Sequence, residues 1–236
     1  MAKVALDSAL ARKLNTFAQL TGAELARLAD LQSNLLTVKR GQQLTHEGQS
    51  GHKAFFVQSG WACSYKDLPN GGRQIISFPI AGDCCGLRSV LLRTADHSFS
   101  VLTDAVVSAV DAPQIVKCMA EFPRLGTALL WAVSRDEAMI VEHLVSIGRR
   151  SALERTAHLF VELAERLTLV GEASETAFKC PLSQFVLADA LGLTAIHVNR
   201  TLRQLRERQL LTLRRGSVII HDLAGLRKLA ASAAAT

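Results

Sequence analysis

Long apolar runs and paired cysteines are both missing from this 236-residue sequence. No run of about 18 uncharged apolar residues occurs, which predicts that no segment spans a membrane. The N-terminal segment is interrupted by charge and does not resemble a secretory signal peptide. The five cysteines are odd in number and none has CxxC spacing, which argues against zinc or iron–sulfur ligation and favours reduced thiols. We therefore expect a cytoplasmic protein with no membrane partner.

The residue groupings that support catalysis are missing as well. The sequence has no phosphate-binding loop, no paired carboxylates and no nucleophile–histidine–acid set, so we predict that the protein is not an enzyme. His97 and His143 are residues of the type that ligates haem or metal, but neither has a partner at ligand spacing. No metal site is predicted.

What the sequence does contain is a large apolar fraction and a basic C-terminal part. Hydrophobic residues make up 49% and charged residues 20%, which is typical of a globular protein. Most of the formal net charge of +6 lies from Gly148 onward, where 13 Lys and Arg accompany 8 Asp and Glu. A basic excess confined to one part of a chain indicates a nucleic-acid-binding domain.

The segment Pro181–Arg208 predicts two helices joined by a tight turn. Ser183 can cap the first helix, Gly192 can end it, and Thr194 can cap the second. The second helix would bury Val198, Leu202 and Leu205 and expose His197, Asn199, Arg200, Arg203, Gln204 and Arg206. This pattern predicts a helix-turn-helix, whose second helix enters the major groove of DNA. An ordinary helical hairpin with a solvated basic face is the alternative.

The residues after this segment predict a wing. Leu210–Leu213 and Val218–Ile220 have the pattern of two strands, and Arg214 and Arg215 lie at the tip between them. We expect these two arginines to contact phosphates rather than bases. The predicted DNA-binding residues are Ser183, Thr194, His197, Asn199, Arg200, Arg203, Arg214 and Arg215.

The first half of the chain predicts two helices followed by a β domain. Residues 1–35 contain two helical patterns, the second with Thr21 as its cap. From Leu36 onward short apolar segments alternate with Gly-rich turns, which predicts an antiparallel sandwich or barrel. The strand candidates include Lys53–Gln58, Ala62–Lys66, Gln74–Pro79 and Phe99–Ala109.

A long helix is predicted between the β domain and the basic part of the chain. Pro123 fits its first position, and its pattern continues to about Ile147. Apolar residues recur at spacings of three and four, as in a coiled-coil seam, and we interpret the seam as a homodimer interface. A helix packed only on its own domain is the alternative. The predicted interface residues are Leu130, Val133, Glu137, Ile140, Leu144 and Ile147.

Together these features resemble the Crp/Fnr family of bacterial transcription regulators over nearly the whole chain. The most specific residues are Glu47-Gly48, Phe55-Phe56-Val57, Ser59-Gly60, Gly82-Asp83, Gly86 and the segment LADALGLTAIHVNRTLRQLR. The resemblance implies an α+β fold: an effector-sensing antiparallel β-roll (a jelly roll) with flanking helices in residues 1–122, a dimerisation helix in 123–148 and a winged helix-turn-helix in 149–236. It also implies a homodimer that binds a palindromic operator in double-stranded DNA, senses an effector or redox signal through the roll, and works with RNA polymerase.

The effector pocket departs from the family pattern. Members that bind cyclic AMP carry Glu directly after the Gly at position 86 and Arg eleven residues beyond that Gly, where this chain has Leu87 and His97. Leu accepts no hydrogen bond from ribose, and neutral His replaces Arg poorly at a phosphate, so we predict that cyclic AMP does not bind. Members with a [4Fe–4S] cluster use clustered N-terminal cysteines, and none precedes Cys63, so no cluster is predicted. The effector stays unknown, and its candidate pocket is Cys84, Cys85, Gly86, Leu87, Arg88, His97 and Ser98.

Cys84 and Cys85 allow two interpretations. They are either ligand- or redox-sensing thiols or small buried apolar residues, and we favour the second because reactive thiols need an exposed electropositive setting. The function likewise has an alternative, a small-molecule or redox-sensing protein whose helix-turn-helix does not bind DNA. Salt-dependent binding to duplex DNA distinguishes this alternative from a DNA-binding regulator.

The predicted recognition helix also departs from the family pattern. Where the family commonly has Glu-Thr-Val-Ser-Arg, this chain has Ile196-His197-Val198-Asn199-Arg200. Glu accepts a hydrogen bond from a cytosine amine, whereas Ile196 can make only an apolar contact, for instance with a thymine methyl. Arg200 is the candidate for guanine and Asn199 for adenine. We therefore expect an operator that differs from those of the best-known members.

Overall fold

Two short helices, α1 (Ala9–Asn15) and α2 (Gly22–Leu31), precede the first strand in the computed structural model, which describes residues 7–88, 92, 94–174 and 176–231. A capping box starts α2, in which Thr21 accepts from the backbone of Glu24 while the Glu24 carboxylate accepts from the backbone of Thr21. The prediction that Thr21 caps the second helix is confirmed.

Two antiparallel four-stranded sheets follow the helices. Their orders are β1-β8-β3-β6 and β2-β7-β4-β5. The strands are β1 (Leu35–Val38), β2 (Gln43–Thr45), β3 (Ala54–Ser59), β4 (Ala62–Asp67), β5 (Arg73–Ser77), β6 (Cys84–Cys85), β7 (Ser98–Val101) and β8 (Ala105–Val110). A single apolar cluster takes residues from both sheets, including Phe55, Val57, Phe99 and Val107. This shared core makes the two sheets one β-roll, as predicted.

The predicted strand Phe99–Ala109 is wrong as a single strand. The segment divides into β7 and β8, which belong to different sheets. Between them the backbone bends, and Leu102 donates to the carbonyl of Trp61 at 2.7 Å. Both halves are apolar, so the period-two pattern could not show that the chain changes sheets at the polar residues Thr103 and Asp104.

Helices α3 (Ala112–Glu121) and α4 (Pro123–Arg149) follow the roll. Pro123 is the first residue of α4, as predicted, because its missing N–H costs nothing there. A second apolar cluster joins the early helices, β3 and the first turns of α4, and it includes Leu10, Leu14, Phe56, Leu125 and Leu129. Neither α4 nor another helix of the described residues is long and apolar enough to cross a membrane.

The C-terminal part contains helices around a small sheet of order β11-β12-β10-β9. Its elements are α5 (Ala152–Leu169), β9 (Ala173–Ser174), β10 (Ala177–Lys179), α6 (Gln184–Leu191), α7 (Ala195–Glu207), β11 (Leu211–Arg214), β12 (Ser217–Ile220) and α8 (Leu223–Ala231). Buried side chains of α5, such as Phe160 and Leu163, supply its core. The order of helix, turn, helix and hairpin is that of a winged helix-turn-helix.

Two compact units are present in the chain. The first comprises Met1–Lys66 and Ser77–Ala138, and the second comprises Asp67–Ile76 and Met139–Thr236. The predicted division after residues 122 and 148 stays a prediction.

Candidate nucleic-acid interface

Helix α6 begins and ends at the residues that the sequence indicates. Ser183 has an extended backbone, and its Oγ accepts from the backbone N–H of Val186 at 3.2 Å. Gly192 ends the helix with φ of +62°, a left-handed conformation that costs glycine little. The turn to the next helix is therefore short and sharply defined.

Helix α7 is capped by Thr194, whose Oγ1 accepts from the backbone N–H of His197 at 3.2 Å. Its buried residues are Val198, Thr201 and Leu205. The predicted third apolar position, Leu202, is only half-buried. Thr201 is buried in addition because its hydroxyl donates to the carbonyl of His197 at 2.9 Å, which satisfies the polar atom within the helix.

The outward face of α7 carries most of the predicted DNA-contacting residues. Asn199, Arg200 and Arg203 are exposed on this face, and His197 is half-buried. These residues and the start of α6 line a cleft of about 460 Å³, formed by Gln184, Phe185, Ala195, Ile196, Asn199, Arg200 and Arg203. Among the described residues that line the cleft none is acidic, so the cleft favours an anionic or electron-rich ligand.

Hydrogen bonds within the protein hold several of these side chains. The amide of Asn199 donates to Gln184 Oε1 at 3.3 Å, and the guanidinium of Arg200 contacts the ring of His197. Arg203 Nε donates to Glu207 Oε1 at 2.7 Å. These contacts are at the surface, where solvent and salt screen a charged pair and leave it weak. The side chains can therefore exchange them for contacts with a nucleic acid.

A wing follows α7, as predicted. Strands β11 and β12 pair from Leu211–Ile220 to Arg214–Ser217, and Arg215 and Gly216 form the two-residue tip. Both tip residues have positive φ, +51° for Arg215 and +70° for Gly216. Such a tip matches the twist of a hairpin, and the side chains of Arg214 and Arg215 are exposed there.

Arg155 of α5 contacts the end of the first helix of the helix-turn-helix. The sequence analysis did not predict this role. Arg155 Nη1 donates to the carbonyl of Leu191 at 2.9 Å, next to the cap of α6. The same guanidinium also donates to the carbonyl of Arg150. No local pattern marks this role, because the carbonyl of Leu191 lies 36 residues away in sequence.

The long helix α4 exposes apolar side chains along the predicted seam. Leu144 is 72% exposed, Leu130 and Ile147 are exposed, and Val133 and Ile140 are half-buried. Glu137 is exposed, as expected for the polar interruption of the seam. Val141 and Val145, which the prediction omitted, are also exposed and widen the apolar stripe.

The predicted effector residues fall on different sides of the roll. Cys85, Gly86 and His97 line one cavity of about 10 Å³, whose wall also contains His52 and Phe99. Cys84 and Leu87 instead contact the apolar cluster of the helices. Arg88 is exposed and pairs with Asp96 at 2.5 Å, while the Oγ of the buried Ser98 accepts from the backbone N–H of Glu47 at 3.1 Å.

All five cysteines lie in the described residues, and each is a buried thiol. Burial raises the pKa of the Cys84 thiol, and the nearby Lys13 ammonium only partly offsets that effect. Burial also raises the pKa of Cys85, and the Asp83 carboxylate raises it further. Because the thiolate is the reactive form, this environment favours the interpretation of both as buried apolar residues. No metal-binding group of three or more His, Cys, Asp or Glu occurs among the described residues.

A β-roll, a long helix and a winged helix-turn-helix define a DNA-binding regulator with a sensor-type domain. Comparison with known proteins gives two family models: "Cyclic nucleotide-binding domain" matches residues 35–122 and "Crp-like helix-turn-helix domain" matches residues 154–229. The chain belongs to the Crp/Fnr family of transcription regulators.

Individual relatives agree with this assignment. The nitrogen fixation regulation protein FixK of Rhizobium meliloti is 32% identical over 179 residues, which are 75% of this chain and 78% of that protein. FixK of Bradyrhizobium diazoefficiens is 34% identical over 173 residues, 71% of this chain and 70% of that one. Among solved structures, FixK2 from Bradyrhizobium japonicum aligns with a TM-score of 0.76 and 25% identity, covering 85% of this chain and 98% of that one.

Proposed function

We propose that the protein acts as a homodimer on a palindromic operator, with α7 in the major groove and the wing on the phosphates. The observation that carries the proposal is the outward face of α7. Its inward residues, such as Val198 and Leu205, are buried, so Asn199, Arg200 and Arg203 face outward. Arg bonds two acceptors of guanine and Asn bonds adenine in the major groove, which suits this face to reading bases.

The apolar stripe on α4 supports the homodimer. Exposed Leu144, Val141 and Leu130 on a 27-residue helix would bury apolar area against the same stripe of a second copy. A two-fold dimer would place two copies of α7 about one helical turn of DNA apart. The operator is therefore expected to be palindromic.

The proposal includes three consequences for the protein in the cell. The protein acts in the cytoplasm, where bacterial DNA lies. It affects transcription by contacting RNA polymerase at promoters. It carries out no catalytic reaction.

Selection from a pool of random DNA duplexes tests the proposal. Purified protein should enrich a palindrome whose half-site centres are about 10 base pairs apart. The logarithm of its binding constant should fall linearly with the logarithm of the salt concentration. Arg200→Ala should reduce the enrichment. The matched control is Lys228→Ala, which removes one exposed charge from α8, outside the cleft. Enrichment of no duplex, or of one without two-fold symmetry, would contradict the proposal.

A further inference from the structure

Two large apolar side chains of the helix-turn-helix are exposed to solvent. Ile196 on α7 is 84% exposed and Phe185 on α6 is 74% exposed, the two highest values for large apolar residues in the described parts of the chain. Both line the cleft of about 460 Å³ that also contains Arg200 and Arg203. Apolar area in water is unfavourable, so such a pair points to a ligand that covers it.

The other residues of the cleft indicate the chemistry of that ligand. Arg200 and Arg203 are positive, and the described lining contains no acidic residue, so the cleft is complementary to DNA. In the major groove of unmodified DNA the apolar group that a base pair presents is the C5-methyl of thymine. A methylated cytosine presents a methyl at the same C5 atom.

We propose that this cleft holds the C5-methyl group of one pyrimidine in each operator half-site. The inference rests on the proposed function and adds a base-reading pair, Ile196 and Phe185, to it. Ile196 is the second residue of α7, in the part of a recognition helix that contacts base edges. Its side chain has no hydrogen-bonding atom, so it discriminates by apolar contact alone.

Ile196 and Arg200 then read neighbouring positions. They are four residues apart and so lie on one face of α7, about 6 Å apart along its axis. The rise of DNA is about 3.4 Å per base pair, so the guanine bound by Arg200 should lie within two base pairs of the methylated pyrimidine. Phe185, from α6, forms the second apolar wall beside the methyl group.

Removing single methyl groups from the selected operator tests the inference. Each thymine is replaced in turn by uracil, which lacks only the C5-methyl. We expect about fourfold weaker binding at one position per half-site and no change elsewhere, since burying one methyl-sized group is favourable by about 0.8 kcal/mol. The base at that position identifies the source of the methyl: thymine, or a cytosine whose 5-methylation tightens binding.

Variants assign the effect to the cleft. Ile196→Ala should abolish the preference for thymine over uracil, and Phe185→Ala should reduce it. Ile219→Ala is the matched control, because Ile219 is exposed on the outer side of β12 and does not line the cleft. Ile196→Glu should shift the preferred base to cytosine, whose amine donates to a carboxylate.

The possible failures are distinguishable. If no duplex is enriched at all, the proposed function fails and this inference with it. If an operator is found but no methyl group alters its affinity, or if Ile196→Ala keeps the full preference, only the inference is overturned. It is also overturned if the variants at residues 185 and 196 change the sedimentation of the protein without DNA, since a protein surface would then cover these side chains.

Discussion

At the scale of single residues, the DNA-binding domain exposes arginines at two kinds of position, on a helix and beside a hairpin tip. Arg200 lies on the outward face of a capped helix and lines the cleft, whereas Arg214 lies next to a hairpin tip. A fixed helix can hold a guanidinium against one base edge, while a hairpin tip suits contact with the backbone. The two side chains should therefore contribute differently to DNA binding.

Substitution of each arginine should show this difference. Arg200→Ala is expected to cost about 1–3 kcal/mol on the selected operator and to relax preference at one base pair per half-site. Arg214→Ala is expected to weaken all duplexes alike and to lower the salt slope by about one for each phosphate that the protein no longer neutralises. Affinity for operator and random duplex across a salt series measures both effects. Loss of sequence preference in Arg214→Ala, with Arg200→Ala unaffected, would reverse the assignment.

Lys13 is a second residue with an individual role, in the N-terminal unit. It is 8% exposed, and its ammonium lies 2.8 Å from Asp83 and 3.6 Å from Asp136. Burial lowers the pKa of Lys13, but the two carboxylates raise it by more, so the residue stays charged. The contacts join α1 to the turn before β6 and to α4.

Removal of this charge should destabilise the N-terminal unit. Lys13→Met leaves the buried Asp83 without its partner cation, which is expected to cost about 3–5 kcal/mol. Urea unfolding of the full chain measures the change. Lys39→Met is the control, because its pair with Asp104 is exposed and screened by solvent, so its loss should change stability little. Equal effects of the two substitutions would show that the buried pair has no special weight.

At the scale of elements, the proposed homodimer depends on the exposed apolar stripe of α4. Val141→Asp with Leu144→Asp would place charges in an apolar seam, which is costly unless they are paired. We expect the double variant to sediment as a monomer. Glu137→Leu should have the opposite effect and strengthen the dimer, because it makes the seam continuous. A dimer that persists in the double variant would place the interface elsewhere.

His143 connects three elements of the C-terminal unit. Its Nδ1 lies 3.0 Å from the carbonyl of Ile76, and its Nε2 lies 2.6 Å from the carboxylate of Glu162, which Arg166 also contacts. Both partners only accept, so both bonds form when the imidazole is protonated. Burial lowers the pKa of His143, but the Glu162 carboxylate and the Ile76 carbonyl raise it by more.

The stability of the C-terminal unit should therefore depend on pH. A raised pKa in the folded state gives stability that is complete below the unfolded value of about 6.5 and is lost as pH rises through the folded pKa. Urea midpoints measured from pH 6 to pH 9 should fall in the wild type, and His143→Gln should remove this decline. Burial and Arg150 lower the pKa of the nearby His158, so His158→Gln is the matched control. This substitution should change the pH dependence of stability only below about pH 6.5. A wild type and a His143→Gln variant with the same slope above pH 6.5 would contradict the assignment.

At the scale of the whole molecule, features that depend on a few neighbouring residues could be predicted from the sequence. Pairings between distant segments could not. Ser183, Gly192 and Thr194 act within one turn of their own position, so the helix-turn-helix could be predicted with its caps. The division between β7 and β8 depends on which sheet each half joins, and no local pattern contains that information. Phe185 was missed because a phenylalanine in a helix usually belongs to the core, and its exposure depends on what the fold leaves uncovered.

The candidate effector pocket of the roll has little internal space. Among the described residues, the cavity lined by Cys85 and His97 has about 10 Å³, room for about one water molecule. The rings of Phe55 and Phe99 lie 5.7 Å apart in the core of the roll. A purine nucleotide needs far more space, and Leu87 packs against the helix cluster and offers no acceptor for ribose.

Cyclic AMP should therefore neither bind nor change operator affinity. Calorimetric titration and operator binding with and without the nucleotide measure the two effects, and micromolar binding would contradict the prediction. The variant Leu87→Glu with His97→Arg separates the two physical reasons, because it supplies the missing carboxylate and guanidinium without enlarging the cavity. We expect this variant also to remain unable to bind, since packed interiors do not open a nucleotide-sized space at low cost. Binding by the variant but not by the wild type would show that the missing polar groups, and not the filled core, exclude the nucleotide.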